Sequence, residues 1–344
     1  MKERIKSLDS LRTIAILAVL LIHTTTRTLE ASKFNIIGFS WTLFLNQIAR
    51  FAVPLFFTLS GFVLELNYKE GTDYWSFIKK RFSKIFIPYA VWSLIYYLFI
   101  YSSNDDNFLR VILTGNASYQ LYFIPTLCIF YMVFPLLHKL YKYFTKLPVL
   151  IFLGSLQIYL LYLDYGVAEF KFPDPLHIAI LAYFFFIIGI VSARNKEKIN
   201  IFVNKWKHIL PVITALLGLF VFWEGRTRFL ATGNYLSYYS QWRPSTFLYT
   251  ISIGLTLYYF FENTKNRNSI IERFSKHSFF VFFVHVAVLE GVWTAFAKSL
   301  FNLLGSDVAG KFLFDPLFFG VVTSLSFGLS YLVHKIPGAE KVMG

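Results

Sequence analysis

The amino-acid sequence predicts an all-α, polytopic membrane protein of about ten transmembrane helices. Hydrophobic residues make up 56% of the 344 positions and aromatic residues 20%, whereas charged residues make up only 15%. Soluble domains carry roughly 25% charged residues. The apolar residues also gather in runs that approach the ~20 residues a helix needs to cross the hydrocarbon layer. We therefore expect residues 1–344 to form one membrane domain with no appended soluble domain.

The apolar runs give approximate bounds for the ten predicted helices. No small-residue cleavage site follows the first run, so it is expected to be a retained span and not a signal peptide. The helices are predicted near residues 8–27, 41–66, 85–102, 120–138, 147–163, 175–193, 208–223, 244–262, 278–299 and 314–334.

The distribution of basic residues predicts the orientation of these helices. If the amino terminus is cytoplasmic, 23 of the 33 Lys and Arg residues fall in inner segments, as the positive-inside rule requires. Both termini are then cytoplasmic, in a protein that crosses its membrane several times. This topology explains most of the net charge of +14, and the basic inner segments are expected to lie against the lipid bilayer. The charge therefore does not indicate a nucleic-acid partner.

The first predicted helix carries an arginine and a histidine on one face. His23 lies eleven positions after Arg12, which on a helix amounts to about three turns plus 20° and a rise of ~16 Å. Arg12 can simply pair with Asp9 near the cytoplasmic boundary. His23 lies past the predicted midplane, where burial favours the neutral imidazole and makes it a usable base. Charged or titratable residues within membrane helices commonly line a cavity or pathway.

The second predicted helix contains the stretch RFAVPLFFTLSGF, residues 50–62. Arg50 is another charged residue inside a span. Pro54 frees backbone carbonyls that need a cavity or a neighbour. Ser60 and Gly61 allow the close approach of either a second helix or a narrow ligand.

Three basic residues, Lys80, Arg81 and Lys84, lie within about one helical turn of the inner loop that follows. Positive-inside charge alone would account for them. Their clustering also suits the binding of phosphates at the cytoplasmic face.

Two further titratable residues, His285 and Glu290, lie in the ninth predicted helix. Five steps along one helix place their side chains about 140° apart, which argues against a working acid–base pair. Each is still expected to line a pathway through the protein. We expect no metal site and no permanently bound cofactor.

Three motifs occur in order along the chain: Asp-x-Leu-Arg followed by ten residues and then His, next FF-x-x-SGF, and then a basic turn leading into I-x-x-PY. Together with the later segments 120–137 and 278–285, they resemble the signature of the bacterial membrane acyltransferase-3 family, whose members lie in the cytoplasmic membrane. Members of this family move an acyl group from cytoplasmic acyl-CoA to a sugar hydroxyl beyond the membrane. The resemblance implies that Arg12 and His23 are the essential pair and that Arg81 and Lys84 lie near the donor.

The sequence departs from the family pattern at two places. Lys84 replaces the second arginine of a more typical Arg-x-x-Arg doublet and lacks its planar fork. Gln120-Leu121-Tyr122 stands where His-Leu-Trp is common, which resembles the branch that modifies exopolysaccharides. This second difference bears on the acceptor more than on the chemistry. The residues expected to line the pathway or the acceptor side are Ser60, Gly61, Arg50, Gln120, Tyr122, His285 and Glu290.

We therefore predict a membrane O-acyltransferase that uses acetyl-CoA or succinyl-CoA as co-substrate and a cell-envelope glycan as acceptor. His23 is its general base, or it carries the acyl group itself. The alternative is a polysaccharide or small-solute exporter, because intramembrane polar residues serve transport equally well. Sugar-binding candidates in the predicted outer loop 224–243 are Arg226, Arg228, Tyr238, Tyr239 and Trp242.

Overall fold

The protein is all-α over the residues that the computed structural model describes, which are 5–32, 36–101, 107–167, 172–232, 240–264, 269–305 and 308–344. Nine segments of this described chain are long and apolar enough to cross a membrane. The predicted all-α polytopic membrane fold is therefore confirmed.

Fifteen α-helices make up the described chain, and short π-helical turns extend three of them. The π-helical turns are Tyr96–Ile100, Leu163–Val167 and Trp293–Ala297. The α-helices are α1 (Lys6–Ala31), α2 (Ile36–Ile48), α3 (Ala52–Asn67), α4 (Tyr74–Ile95), α5 (Phe108–Thr114), α6 (Phe123–Phe144), α7 (Leu147–Tyr162), α8 (Leu176–Arg194), α9 (Lys196–Lys205), α10 (Ile209–Thr232), α11 (Pro244–Asn263), α12 (Ser269–Val292), α13 (Lys298–Leu304), α14 (Val308–Val333) and α15 (Ala339–Met343).

One expectation about the helices needs correction. The predicted eighth helix is present as α11; its Ser, Thr and Tyr residues make it less apolar than the nine candidate spans of the described chain. The helix α4 begins at Tyr74, eleven residues before the predicted position 85, and so the basic residues assigned to an inner loop are helical. Asp73 caps this helix by accepting a hydrogen bond from the Ser76 N–H at 2.9 Å, which lowers the pKa of Asp73 below its ordinary value.

The predicted second span is divided into α2 and α3 by a tight turn at residues 49–51. Pro54 has no N–H to donate to the carbonyl of Arg50, four residues earlier, and its ring crowds that carbonyl. The turn is closed instead by hydrogen bonds that reach back three residues and not four. They run from the Arg50 N–H to the Gln47 carbonyl and from the Ala52 N–H to the Ala49 carbonyl, both at 3.1 Å. Arg50 therefore lies at the break.

The chain forms two compact units. The first consists of residues 1–53, 202–241 and 245–331, and in it α1 packs against α2 and α12. Its helices are joined by long-range hydrogen bonds, such as that from the Thr13 hydroxyl to the Ile271 carbonyl at 2.8 Å. An aromatic cluster that includes Trp293, Phe314 and Phe318 packs the end of α12 onto α14.

The second unit consists of residues 54–201, 242–244 and 332–344. In it, α3 and α8 cross at two glycines. A Cβ atom added at Gly61 would collide with the Phe186 carbonyl oxygen, and one added at Gly189 would collide with the Thr58 carbonyl oxygen. The crossing is therefore as close as two helix backbones allow, which is the packing that small residues provide inside membranes.

Replacing either of these glycines should destabilise the protein. Gly61→Ala and Gly189→Ala force the backbones apart, at a cost of about 1–3 kcal/mol. Gly320→Ala is the matched control, because a Cβ there meets no other atom within 4 Å. We expect both crossing variants to lower the midpoint of thermal unfolding in detergent, with the control unchanged or slightly higher. Equal midpoints for all three variants would contradict the close crossing.

The predicted topology can be tested by cysteine labelling, because the single native cysteine, Cys128, is buried. A cysteine at the exposed position Lys79 should react with an impermeant maleimide only after the cells are permeabilised. A cysteine at Arg228, predicted to lie outside, should react in intact cells. Labelling of the Lys79→Cys variant in intact cells would refute the cytoplasmic assignment of this helix.

Candidate active site

The candidate active site in the first unit is built around two histidines that meet between α1 and α12. The rings of His23 and His285 lie with their centroids 5.2 Å apart and their planes inclined by 33°. His23 is half-buried, whereas His285 is fully buried. Of the nine candidate spans, α1 is the most enclosed, so His23 is held within the protein and still retains accessible surface.

The ring nitrogens of His285 have different environments. Nδ1 lies 2.9 Å from the carbonyl oxygen of Val281, one turn earlier on the same helix. Since a carbonyl only accepts hydrogen bonds, this contact assigns the proton to Nδ1. Nε2 then carries the lone pair, and among the described residues no group hydrogen-bonds to this buried nitrogen. A buried acceptor that makes no hydrogen bond lowers the stability of the fold, unless another group donates to it during function.

The carboxamide of Asn46 fixes the backbone of α1 around His23. Its Nδ2 lies 3.1 Å from the carbonyl oxygen of Ile22 and 3.0 Å from the hydroxyls of Thr25 and Thr26. Asn46 itself is completely buried. These contacts hold α1 at the position before His23 and at the second and third positions after it, so they restrict the movement of that turn.

The same carboxamide orients Arg50. Its Oδ1 accepts from Nε of Arg50 at 3.1 Å and from Nη2 at 2.5 Å. Arg50 is only 4% exposed, and its partner Asn46 also holds the turn of α1 that carries His23. A guanidinium stays protonated in proteins, so the site contains a fixed positive charge beside the two imidazoles.

One helical turn beyond His23, an ion pair joins α1 to α12. Nη2 of Arg27 lies 3.2 Å from the Glu290 carboxylate, and the Arg27 guanidinium also lies over the Trp293 ring at 5.0 Å. Both charged side chains are partly exposed, 32% for Arg27 and 22% for Glu290. His285 and Glu290 thus have different partners, in keeping with their wide separation around the helix.

At the opposite end of α1, Arg12 contacts Asp9 at 3.5 Å. The Asp9 carboxylate also accepts a hydrogen bond from the Ser275 hydroxyl of α12 at 2.9 Å. Arg12 is half-buried, on the face of α1 that also carries His23. The arginine is therefore positioned by an acidic partner that α12 holds in turn.

The basic residues predicted to bind the donor lie on α4, in the second unit. Lys80 and Lys84 are exposed and Arg81 is half-buried. The Arg81 guanidinium lies 5.7 Å from the Phe77 ring, and its buried Nε has no hydrogen-bond partner among the described residues. Arg81 thus has a donor that an anionic oxygen could satisfy.

The remaining predicted residues of the pathway also lie in the second unit. Ser60 donates to the Phe56 carbonyl at 2.7 Å, and Gly61 is at the crossing with α8, so local packing accounts for both. Gln120 is buried, accepts from the Ser118 hydroxyl and has no partner for Nε2 among the described residues. Tyr122 is half-buried directly before α6.

The sequence reasoning missed Asn46 and Arg27. Each carried a signal, because Asn46 is a polar residue inside an apolar run and Arg27 is one turn from His23 on the same face. The predicted sugar-binding loop needs correction: Arg226 and Arg228 are on α10, and Trp242 is buried against Phe57. Tyr238 and Tyr239 lie outside the described residues.

Comparison with known proteins gives a consistent result. Two similar proteins from Staphylococcus aureus, strains N315 and Mu50, are 26% and 25% identical over 313 residues, which is 85% of each chain. A protein from Staphylococcus epidermidis is 26% identical over 311 residues, 85% of this chain and 83% of its own. All three are named probable poly-beta-1,6-N-acetyl-D-glucosamine export protein. No solved structure matches.

The family model for acyltransferase-3 proteins, described as an acyltransferase domain, matches residues 5–335, nearly the whole chain. The resemblance seen in the sequence motifs is confirmed: the chain belongs to the acyltransferase-3 family.

Proposed function

We propose that the protein transfers an acyl group, acetyl or succinyl, from acyl-CoA to a hydroxyl group of a cell-envelope glycan. The observation that carries this proposal is the placement of His23, a partly accessible imidazole beside a second imidazole and a buried guanidinium. Membership of an acyltransferase family supports the reaction class. A bacterial cytoplasmic membrane gives such an enzyme access to cytoplasmic acyl-CoA on one side and envelope glycan on the other.

The donor is assigned to the basic residues of α4. CoA carries several phosphate charges, and Lys80, Arg81 and Lys84 present positive groups within about one turn of helix. The buried Nε of Arg81 adds a donor that a phosphate oxygen would satisfy. Arg12 is proposed to contribute at the inner end of α1. The pantetheine arm of CoA is roughly long enough to carry a thioester through half of a bilayer.

In the direct mechanism, His23 removes the proton from the acceptor hydroxyl as the oxygen attacks the thioester carbonyl. The new C–O bond forms, the C–S bond breaks, and the proton passes from His23 to the departing CoA thiolate. The products are an O-acyl glycan and free CoA. In the variant mechanism, a ring nitrogen of His23 attacks the thioester carbonyl, the C–S bond breaks and CoA leaves as the thiolate. The acceptor oxygen then attacks the acyl group on His23, the C–N bond breaks, and the hydroxyl proton passes to the CoA thiolate.

The neighbours of His23 have supporting roles in this proposal. The fixed charge of Arg50 stabilises the negative oxygen that develops at the thioester carbonyl. The lone pair on Nε2 of His285 accepts a hydrogen bond from the protonated His23, whose ring lies beside it. Arg27 and Glu290 offer the acceptor sugar a donor and an acceptor one turn away, while Gln120 and Tyr122 are assigned to the pathway in the second unit.

The names of the similar staphylococcal proteins favour a glycan of N-acetylglucosamine as the acceptor. Such a polymer offers free ring hydroxyls to a base and amide groups to polar side chains. The same names favour a second candidate function, the export of the polysaccharide itself. The two functions differ in chemistry, because an exporter consumes no acyl-CoA and needs no base at His23.

Replacing His23 should abolish transfer while leaving donor binding intact. His23→Ala removes the base, and losing a positioned base typically costs about 10²- to 10⁴-fold in rate. The measurement is the release of CoA thiol by purified protein given acetyl-CoA or succinyl-CoA with envelope glycan. His208→Ala, a change at an exposed histidine, is the matched control and should retain the wild-type rate. Normal thiol release by a folded His23→Ala protein would remove His23 from the chemistry, whereas a wild-type protein that releases no thiol from either donor would favour the exporter.

Neutralising the basic residues of α4 should instead weaken donor binding. A charge-assisted bond contributes about 1.5–3 kcal/mol, so Arg81→Gln should raise the donor dissociation constant roughly ten- to a hundredfold. Lys84→Gln should act in the same direction, with the rate at saturating donor nearly unchanged. Lys142→Gln, at an exposed site on α6, is the control. Unchanged donor affinity in both α4 variants would remove this helix from the donor site.

A further inference from the structure

A second cluster of charged side chains lies in the second unit, outside the residues assigned above. It joins the end of α3, the later part of α6 and the end of α8 through Glu65, His138 and Arg194. His138 Nδ1 lies 3.1 and 3.0 Å from the two carboxylate oxygens of Glu65, and Arg194 Nε donates to the same carboxylate. Nη2 of Arg194 lies 3.1 Å from Nδ1 and 3.2 Å from Nε2 of His138.

The Glu65 carboxylate is the acceptor that joins this cluster. A carboxylate only accepts, so His138 Nδ1 and Arg194 Nε both donate to it. Nε2 of His138 lies 3.2 Å from Nη2 of Arg194 and 3.7 Å from the exposed carboxylate of Glu70. The Glu65 side chain is only 2% exposed, and a carboxylate buried this deeply depends on its partners. Removing the charge of Glu65 would therefore loosen both His138 and Arg194.

Aromatic contacts connect this cluster to the basic segment of α4. The His138 ring lies 4.5 Å from the Tyr68 ring, and the Tyr68 ring meets Phe77 edge-on at 5.4 Å. Phe77 is buried, and the Arg81 guanidinium lies over it at 5.7 Å. The position of Arg81 thus depends on Phe77, which in turn rests on Tyr68 beside the cluster.

We propose that Glu65, together with His138 and Arg194, is a positioning residue for the donor-binding arginine Arg81. The cluster fixes Tyr68, and Tyr68 holds Phe77 in the place where Arg81 lies against it. This inference rests on the proposed function, because it assigns the cluster to the affinity for acyl-CoA. It predicts that changes in the cluster alter donor binding and leave the chemical step at His23 unaffected.

The test compares Glu65→Gln with Glu197→Gln, a change at an exposed glutamate of the same unit. In full-length protein in detergent, Glu65→Gln should raise the dissociation constant of acetyl-CoA or succinyl-CoA, whichever the wild type consumes. We expect roughly a fivefold rise, equivalent to about 1 kcal/mol of coupling between neighbouring groups. The rate at saturating donor should match the wild type, and Glu197→Gln should change neither quantity.

A second variant covers the case in which Glu65→Gln does not fold. Tyr68→Leu leaves the charges of the cluster in place and removes the ring that joins it to Phe77, so it should weaken donor binding similarly. Unchanged donor affinity in a folded Glu65→Gln or Tyr68→Leu protein would overturn the inference, as would a rate loss that saturating donor does not restore. If Arg81→Gln weakens binding and these variants do not, only the positioning role fails. If the wild type binds neither acetyl-CoA nor succinyl-CoA, both the proposed function and the positioning role fail.

Discussion

The candidate site depends on the hydrogen bonds made by the buried carboxamide of Asn46. Its nitrogen binds α1 on either side of His23, and its oxygen binds the guanidinium of Arg50. Polar groups inside a membrane protein have no water to replace a lost partner, so such a network holds its members in one arrangement. The break at residues 49–51, caused by Pro54, gives Arg50 the freedom to reach this oxygen.

The two imidazoles and the guanidinium then form a site with complementary properties. His23 keeps accessible surface, whereas His285 is enclosed and retains one nitrogen lone pair without a partner among the described residues. Arg50 contributes a charge that does not titrate. In the proposed reaction His23 would act as the base, His285 as an additional acceptor and Arg50 as the charge that stabilises the developing oxyanion. Arg27 and Glu290, one turn away, would offer polar groups to the proposed sugar acceptor.

Much of the fold could be predicted from the sequence, because bilayer thickness and the cost of buried charge strongly constrain a membrane chain. The spans, Arg12 and His23 on one face of α1, and the family resemblance all followed from the residues themselves. The partnership of His23 with His285 could not be predicted, since it depends on how two helices far apart in sequence pack. For the same reason Glu65, His138 and Arg194 carried no signal as a group. The early start of α4 was missed because its charges interrupt the apolar run that marked the span.

The most direct test of the account is the sidedness and stoichiometry of transfer in sealed proteoliposomes. Purified protein would be reconstituted with ¹⁴C-acyl-CoA on the side of the basic α4 residues and unlabelled envelope glycan on the other side. The account predicts that ¹⁴C appears in ester linkage on the glycan and that one CoA thiol is released, on the donor side, for each ester formed. Translocation of glycan without label and without thiol release would contradict it.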